Sequence, residues 1–251
     1  MSILVRGRYA ARRAEGDADI AAAQALRHAA FIAGTGARAR EDGREADEFD
    51  AHCTHILIEE RATGRLVCCF RLLPLHDGAE IGRSYAAQHY ELSALAAYPG
   101  PMVEMGRFCV APGNEHDPDI LRVAWAALTR CVDRDGVEML FGCSSFRGTD
   151  AAAYADAFAM LRDRHLAPKR WLPRVKAPEV LRFARQTLRA PDPRRAMRTM
   201  PPLLRTYLLM GGWVSDHAVV DRDLNTLHVF TGLEIGGIPP ARARVLRLAA
   251  G

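Results

Sequence analysis

Apolar residues divide the chain into segments with strand-like alternation and segments with helical spacing. Alternating or continuous apolar runs predict strands at 7–13, 54–60, 65–73, 85–92, 102–111 and 138–143. Helical spacing predicts helices from Asp17, over 118–133 and over 150–165. Two later runs, 213–220 and 226–233, indicate an antiparallel pair joined through 221–225. This order predicts an α/β fold, a mixed central sheet flanked by helices with a hairpin at its end.

The length fits a single domain. With 251 residues, 49% of them hydrophobic, the chain can bury a substantial core. We assign that core to about residues 7–165 plus 213–233 and place a helical insertion at about 166–212, before the hairpin. No apolar run reaches membrane-spanning length and the N-terminus lacks a secretory apolar region, so we expect a cytoplasmic protein.

Metal and disulfide chemistry are not indicated. The six cysteines form no CxxC pair, and most lie in apolar runs, which predicts buried thiols. The histidines show no HExxH motif or other metal spacing, so we predict no metal site.

The positive charge is concentrated in one segment. Residues Arg170–Arg205 carry a formal charge of +8, although the whole chain carries only +4. Within it, EVLRFARQTL at 179–188 fits a helix with arginines flanking an apolar side that includes Phe183 and Leu188. Such a helix could lie peripherally on the anionic inner membrane, dock an acidic acyl carrier protein, or pack on the sheet. Aromatic residues do not interleave with the arginines, which disfavours nucleic-acid binding.

Two charges interrupt the apolar run MVEMGRFCVA at 102–111. Burying Glu104 and Arg107 is costly unless each is paired or used in chemistry. Regular alternation would point them to opposite faces, and Gly106 between them is a natural place for a bulge. A bulge would leave backbone N–H groups near Gly106–Phe108 available to a developing oxyanion. Burial would raise the pKa of Glu104 toward that of a general base; a purely structural ion pair with Arg107 or Arg71 is the alternative.

Several motifs in order resemble one family. They are DEFDAHCTHILI at 47–58, FRLL at 70–73, EMGRFCV at 104–110, FGCSSF at 141–146 and PPLLRTYLLMGGWVSDHAVVD at 201–221. This set is similar to that of the bacterial ornithine-lipid N-acyltransferases, which have an acetyltransferase-like (GNAT) fold. The resemblance implies transfer of a 3-hydroxyacyl chain from acyl carrier protein to the α-amino group of ornithine, giving lyso-ornithine lipid. Glutamine or lysine as acceptor remains an alternative.

The fold is also similar to that of the acyl-homoserine-lactone synthases, which is a second functional alternative. The resemblance implies a site with Glu104, Arg107 and Arg71 as catalytic residues. It further implies substrate-binding roles for Asp47, Asp50, Arg27, Phe31, Phe108, Ser144 and Phe146. Asp47 and Asp50 could instead order their loop by capping it and pairing with Arg71. A non-catalytic module that binds acyl carrier protein or membrane is the third alternative.

The acyl donor is suggested by a departure from ordinary acetyltransferases. Those enzymes hold the coenzyme A diphosphate with a glycine-rich loop at a helix N-terminus. Here the corresponding stretch, APGNEHDPDILR at 111–122, is acidic and lacks that spacing. We therefore expect no permanently bound cofactor and a phosphopantetheine-linked 3-hydroxyacyl thioester as co-substrate.

Overall fold

The computed structural model describes residues 2–186 and 190–251 as twelve strands and seven α-helices. The strands are β1 Ser2–Arg6, β2 Tyr9–Arg13, β3 Thr54–Glu60, β4 Leu66–Leu75, β5 Tyr90–Glu91, β6 Met102–Val110, β7 Met139–Arg147, β8 Arg174–Val175, β9 Val180–Leu181, β10 Trp213–Val214, β11 Ala218–Asp221 and β12 Thr226–Glu234. The helices are α1 Asp17–Phe31, α2 Ala86–His89, α3 Pro118–Arg134, α4 Ala155–Arg164, α5 Pro193–Thr199, α6 Pro202–Leu209 and α7 Pro240–Ala250. The predicted α/β class is confirmed.

The chain divides into two compact units. The first unit comprises residues up to Pro74, Met105–Val137 and Pro240–Gly251; the second comprises Leu75–Glu104 and Glu138–Pro239. Strand β6 contributes its first three residues to the second unit and the rest to the first. The predicted insertion at 166–212 falls inside the second unit, and its status as an insertion into one domain stays a prediction.

Strands β1, β2, β3, β4 and β6 are neighbours in that order in the first unit. The pairs β1–β2, β2–β3 and β3–β4 are antiparallel. Helix α1 places Ala23 in a core with Leu57, Cys69 and Cys109. One turn after Ala23, on the same helix face, lies Arg27, which is also buried. A charged side chain is therefore carried into the interior on an apolar helix face.

Helix α3 begins as its sequence predicts. Asp117 accepts a hydrogen bond from the Asp119 N–H at 3.0 Å, and Pro118 follows it at the first helical position. The same carboxylate accepts a hydrogen bond of 2.6 Å from the Tyr9 hydroxyl and pairs with Arg8. Burial and this contact raise the pKa of Tyr9 to about 12. The helix start is thus fixed to strand β2.

The second unit is built on a long antiparallel ladder. Strand β12 pairs with β7 over nine residues and with β11 on its other edge, and β9 pairs with β11. The parallel pairing of β6 with β7 comprises Met102–Glu104 against Met139–Phe141. The predicted final hairpin is confirmed over β11 and β12, although β10 is separate and pairs with β12 at Trp213 and Val214.

Three phenylalanines from different elements define the core of the second unit. The ring centroids of Phe146 on β7 and Phe158 on α4 lie 4.9 Å apart, and those of Phe158 and Phe183 lie 5.1 Å apart. All three side chains are buried. Phe183 belongs to a short 3-10 helix, Phe183–Arg185, and not to an α-helix.

The α-helix predicted at 179–188 is wrong over the described residues. Val180 and Leu181 form edge strand β9, paired with Val219 and Ala218. Pairing with β11 and burial of Phe183 replace the helical arrangement that the spacing favoured, because long-range contacts outweigh weak local propensity. Thr187 and Leu188, the last two residues of that prediction, lie outside the described residues. The insertion does contain helices, namely α5 and α6.

Other elements also differ from the sequence prediction. The predicted strand 85–92 contains helix α2 followed by the two-residue strand β5. The first predicted strand, 7–13, is confirmed as β2, but strand β1 before it was not predicted, and the two form a hairpin joined through Gly7 with φ 56°. Helix α7 was not predicted. Over the residues that the model covers, we find no helix of a length and apolarity that would allow it to span a bilayer.

Gly78 illustrates how closely backbone segments approach in the second unit. A β-carbon at this position would lie 2.7 Å from Tyr98 N and would also overlap Leu95 O. Gly82, in the same 3-10 helix, has open space at the corresponding point. We predict that Gly78→Ala lowers the free energy of unfolding by about 1–3 kcal/mol, as overpacking does. Gly82→Ala should change it by less than about 1 kcal/mol. Urea unfolding followed by circular dichroism measures both; equal effects would contradict this packing.

Candidate active site

Three arginines and three carboxylates form a cluster in the first unit, called here the ion-pair cluster. They come from helix α1, the loop before strand β3, strand β4 and strand β6. The members are Arg27, Glu45, Asp47, Asp50, Arg71 and Arg107. Five of the six were predicted as site residues; Glu45 was not. Because positive and negative charges are equal in number, the cluster is formally neutral.

Asp50 lies at the centre of the ion-pair cluster and is buried. Its oxygens accept hydrogen bonds from Arg27 Nη1 and Nη2 at 2.7 and 2.8 Å, from Arg71 Nη1 at 2.5 Å and from Gln24 Nε2 at 2.9 Å. Burial by itself raises the pKa of Asp50, but the Arg27 contact and the other donors outweigh it and hold the pKa well below its usual range. Asp50 is therefore an ionised structural partner of two arginines.

Asp47 has a double role. It accepts a hydrogen bond from the Phe49 N–H at 3.1 Å, which starts the 3-10 helix Glu48–His52. It also accepts from Arg71 Nη2 at 2.7 Å and from Arg107 Nη2 at 2.9 Å. Burial opposes ionisation, yet the Arg71 and Arg107 contacts leave the pKa of Asp47 lowered. These contacts directly support the interpretation that Asp47 orders its loop.

Glu45 is the cluster residue that sequence reasoning missed. Its side chain is 0% exposed, with Oε2 at 2.7 Å from Arg27 Nε and Oε1 at 3.0 Å from Arg107 Nε. Its backbone N–H donates to Gln24 O at 3.1 Å, and its carbonyl oxygen accepts from Arg27. It lies in a polar loop without periodicity, so no local pattern marks it as buried.

Exposure decreases from one edge of the ion-pair cluster to the other. The Asp47 and Arg107 side chains are 19% and 11% exposed, whereas those of Arg27 and Glu45 are 1% and 0% exposed. Asp47 and Arg107 are therefore the members of the cluster most open to a ligand.

Arg107 has a strained backbone. Its φ is 53°, in the left-handed region that non-glycine residues rarely adopt within a strand. The sequence predicts the irregularity at Gly106. The backbone of Gly106 does not have a positive φ, and a β-carbon added there would make only an ordinary contact with Arg71, at 3.5 Å. The contacts of Arg107 with Glu45 and Asp47 are made in this conformation. The irregular residue is therefore the one whose side chain joins the ion-pair cluster.

Glu104 belongs to the second unit and has different partners. Its Oε2 and Oε1 accept hydrogen bonds of 2.7 Å each from the backbone N–H groups of Tyr85 and Ala86, at the start of helix α2. The residue as a whole is 4% exposed. Anions are favourable at helix starts, so these donors account for its burial. Its role as a general base stays a prediction and would use the lone pairs that remain on these oxygens.

The two predicted substrate-binding phenylalanines of the first unit lie on its packed faces. Phe31 ends helix α1 and packs against the core around Leu57 and Cys69. Phe108 stacks on Phe70, with ring centroids 5.8 Å apart and an interplanar angle of 25°. Both are partly exposed.

Ser144 and Phe146 are two residues apart on strand β7, in the second unit. Ser144 Oγ accepts a hydrogen bond of 2.9 Å from Thr231 Oγ1 on β12. Phe146 is 1% exposed, and its ring lies 4.9 Å from that of Tyr154 as well as from that of Phe158. Packing accounts for Phe146 without a ligand, and substrate contacts by either residue stay a prediction.

Comparison with known proteins identifies the family to which this chain belongs. The family model of the acetyltransferase (GNAT) domain matches residues 26–125. An L-ornithine N(alpha)-acyltransferase from Rhodobacter capsulatus is 37% identical over 233 residues, covering 88% of each chain. One from Rhizobium meliloti is 32% identical over 241 residues, covering 90% of this chain and 80% of the other. The chain belongs to the L-ornithine N(alpha)-acyltransferase family.

The predicted family, fold and enzyme class are thereby confirmed, and the protein is an N-acyltransferase. A solved N-acyl amino acid synthase from uncultured soil microbes shares the fold of this acyltransferase. The TM-score is 0.50 at 13% identity, covering 97% of each chain.

The buried charge of Glu45 gives the first test of the ion-pair cluster. Glu45→Gln keeps the size of the side chain but leaves Arg27 and Arg107 with one carboxylate too few. Removing one partner of a buried ion pair costs about 3–5 kcal/mol, and we predict a loss of that size in the free energy of unfolding. Glu41→Gln, in the exposed part of the same loop, should stay within about 0.5 kcal/mol of wild type. A Glu45→Gln effect as small as that of the control would refute the buried pairing.

Asp50 also predicts a pH dependence of stability. Its pKa in the folded protein is lowered, so its ionised form contributes stability above the usual aspartate pKa of about 3.9. This contribution is lost as the pH falls below that value through the folded-state pKa. We expect unfolding free energies measured from about pH 6 to about pH 3 to fall less steeply in Asp50→Asn, by up to about 1.4 kcal/mol per pH unit. Asp42→Asn should keep the wild-type slope, and an unchanged slope in Asp50→Asn would contradict the assignment.

Proposed function

We propose that this acyltransferase moves a 3-hydroxyacyl chain from acyl carrier protein to the α-amino group of L-ornithine, giving lyso-ornithine lipid. The observation that carries the proposal is the match to the Rhodobacter capsulatus L-ornithine N(alpha)-acyltransferase along most of both chains. Three further proteins of that name, at 29–32% identity, cover 90–92% of this chain. This agreement supports ornithine as the acceptor over glutamine or lysine.

The proposed reaction is a direct acyl transfer. The neutral α-amine attacks the thioester carbonyl carbon, the C–N bond forms, and collapse of the tetrahedral intermediate breaks the C–S bond. Glu104 takes the amine proton, directly or through water, and passes it to the departing thiolate, so that Glu104 is ionised again at the end of the reaction. We propose that backbone N–H groups near Gly106–Phe108 stabilise the oxyanion.

The open edge of the ion-pair cluster suits the acceptor. Ornithine carries two ammonium groups and one carboxylate, and Asp47 and Arg107 offer one charge of each sign at the most exposed positions. We propose that they bind the acceptor, while Asp50, Arg27 and Arg71 hold them in place. Asp50 accepts four hydrogen bonds from the protein itself, which supports a positioning role for it.

The donor proposal rests on the start of helix α3. In coenzyme A enzymes a helix start of this kind meets the diphosphate, but here the Asp117 carboxylate caps the helix. Glu115 adds a second carboxylate, which accepts from the Gly113 N–H at 2.8 Å. These charges would repel a diphosphate, which supports a phosphopantetheine donor attached to acyl carrier protein. The basic residues of Arg170–Arg205 suit an acidic carrier, as a docking surface.

The second candidate function is acyl-homoserine-lactone synthesis. It is favoured by the spacing of Asp47, Asp50 and Arg71 together with Glu104 and Arg107. The third alternative, a non-catalytic module that binds acyl carrier protein or membrane, is wrong because the chain belongs to an N-acyltransferase family.

One assay distinguishes these candidate functions. Purified protein is incubated with 3-hydroxyacyl carrier protein or 3-hydroxyacyl coenzyme A, and with ornithine, lysine, glutamine or S-adenosylmethionine, and products are identified by mass spectrometry. We expect N-acyl-ornithine from the carrier-protein donor. A homoserine lactone from S-adenosylmethionine would favour the second function, and the absence of any amide would overturn the proposal.

Glu104→Gln tests the base. Loss of a general base should lower kcat/KM by about 10²–10⁴-fold, with the folded protein retained. Glu91→Gln is the matched control, because its carboxylate also accepts a backbone N–H, that of Ser93, at 2.8 Å in the same unit. If Glu104→Gln changes the unfolding midpoint but leaves kcat intact, Glu104 serves only to start helix α2.

A further inference from the structure

Helix α7 has apolar side chains on two sides. One side, with Ala250 buried and Leu246 partly buried, packs in the first unit against α3. Leu248 and Val245 point away from it and are 76% and 60% exposed. Residues 241, 245 and 248 are spaced by four and three, so Ala241 shares this outer face. The outer face of α7 therefore presents an apolar strip to solvent.

Arginines flank the strip on both sides. At 100° per residue, Arg244 and Arg247 lie to one side of Leu248, and Arg242 lies beyond Val245 on the other. Arg247 pairs with Asp133 on α3 at 3.2 Å. Neither Arg242 nor Arg244 makes an ion pair within the described residues. The helix contains no acidic residue, so the strip lies between cations that are free to meet an anionic surface.

The helix is held firmly at its C-terminal end. Arg6 Nη1 donates to Ala249 O at 2.8 Å, and Arg130 Nη2 donates to Gly251 O at 3.4 Å. A shallow, largely open depression of about 510 Å³ lies beside the outer face. It is lined by Pro240, Ala243, Arg244, Arg247, Leu248 and Gly251. Apolar surface thus continues from the strip into a concavity bounded by two arginines.

We propose that the outer face of α7 binds an anionic lipid surface. Exposed leucine and valine between long cationic side chains are typical of helices lying in a membrane interface, where the apolar residues enter the acyl boundary and the arginines contact headgroups. An acidic protein would complement the arginines but would not require Leu248 and Val245 at the centre of the face. This surface differs from the basic segment Arg170–Arg205, and its assignment does not rest on the proposed reaction.

Vesicle co-sedimentation of the full chain tests the inference. The wild type should bind phosphatidylcholine vesicles containing phosphatidylglycerol, bind less at high salt, and bind phosphatidylcholine alone weakly. Val245→Ser with Leu248→Ser should weaken binding about tenfold, since two apolar side chains no longer enter the interface. Arg242→Gln with Arg244→Gln should weaken binding to anionic vesicles at least about tenfold, because each surface cation contributes about fivefold.

Matched controls come from the second unit. Leu209→Ser removes an apolar side chain that is 52% exposed, and Arg194→Gln with Arg198→Gln removes two exposed arginines of the basic segment. Neither should change vesicle binding. The α7 variants and Leu209→Ser should also keep the wild-type circular dichroism and the kcat/KM measured with soluble substrates. Failure of the wild type to bind anionic vesicles overturns the proposal. So does loss of binding in the Arg194/Arg198 variant alone, or an α7 variant that raises KM for acyl carrier protein while vesicle binding is unchanged.

Discussion

Three guanidinium groups and three carboxylates lie largely out of water in the first unit, and each must find opposite charge within hydrogen-bond reach. An unpaired buried ion would cost several kcal/mol, a large fraction of the stability of a domain. The constraint reaches four parts of the chain, because Arg27, Arg71 and Arg107 come from one helix and two strands while their partners come from one loop. Pairing with Arg27 and Arg107 draws a polar, glycine-rich loop inward to bury Glu45. The His55 side chain is buried next to this loop, with its Nε2 3.0 Å from Asp50 O. Burial lowers the pKa of this histidine.

The same constraint has a different solution at Glu104. There the negative charge is met by two backbone N–H groups, which also begin helix α2. Glu104 and Arg107 of strand β6 thus meet opposite charge in two ways: Glu104 accepts hydrogen bonds from backbone N–H groups, and Arg107 pairs with carboxylates. Arg107 takes up a left-handed backbone conformation within its network.

The arginines of this acyltransferase serve several purposes that composition alone does not separate. Some neutralise buried carboxylates, as in the ion-pair cluster. Others tie elements together at the surface, such as Arg6 and Arg130 at the end of α7. Arg242 and Arg244 border an exposed apolar strip. Under the proposal for helix α7, its exposed amphipathic face would bring the acyltransferase to an anionic lipid surface without using the segment with the highest local charge.

The sequence by itself determined the elements whose signals are local. The helix start at Asp117 and Pro118 and the strand Thr54–Glu60 formed where predicted, because capping and a short continuous apolar run act within a few residues. The ordered motifs also determined the family. Tertiary structure decided the features that depend on distant partners. Val180 and Leu181 form a strand because they pair with β11, helix α2 begins where its backbone N–H groups donate to Glu104, and Glu45 is buried because it pairs with arginines. It also decided which faces of α7 are covered. At these positions, hydrogen bonds and ion pairs between residues far apart in sequence outweigh local propensity. A short stretch of the sequence never contains both partners, so it cannot reveal them.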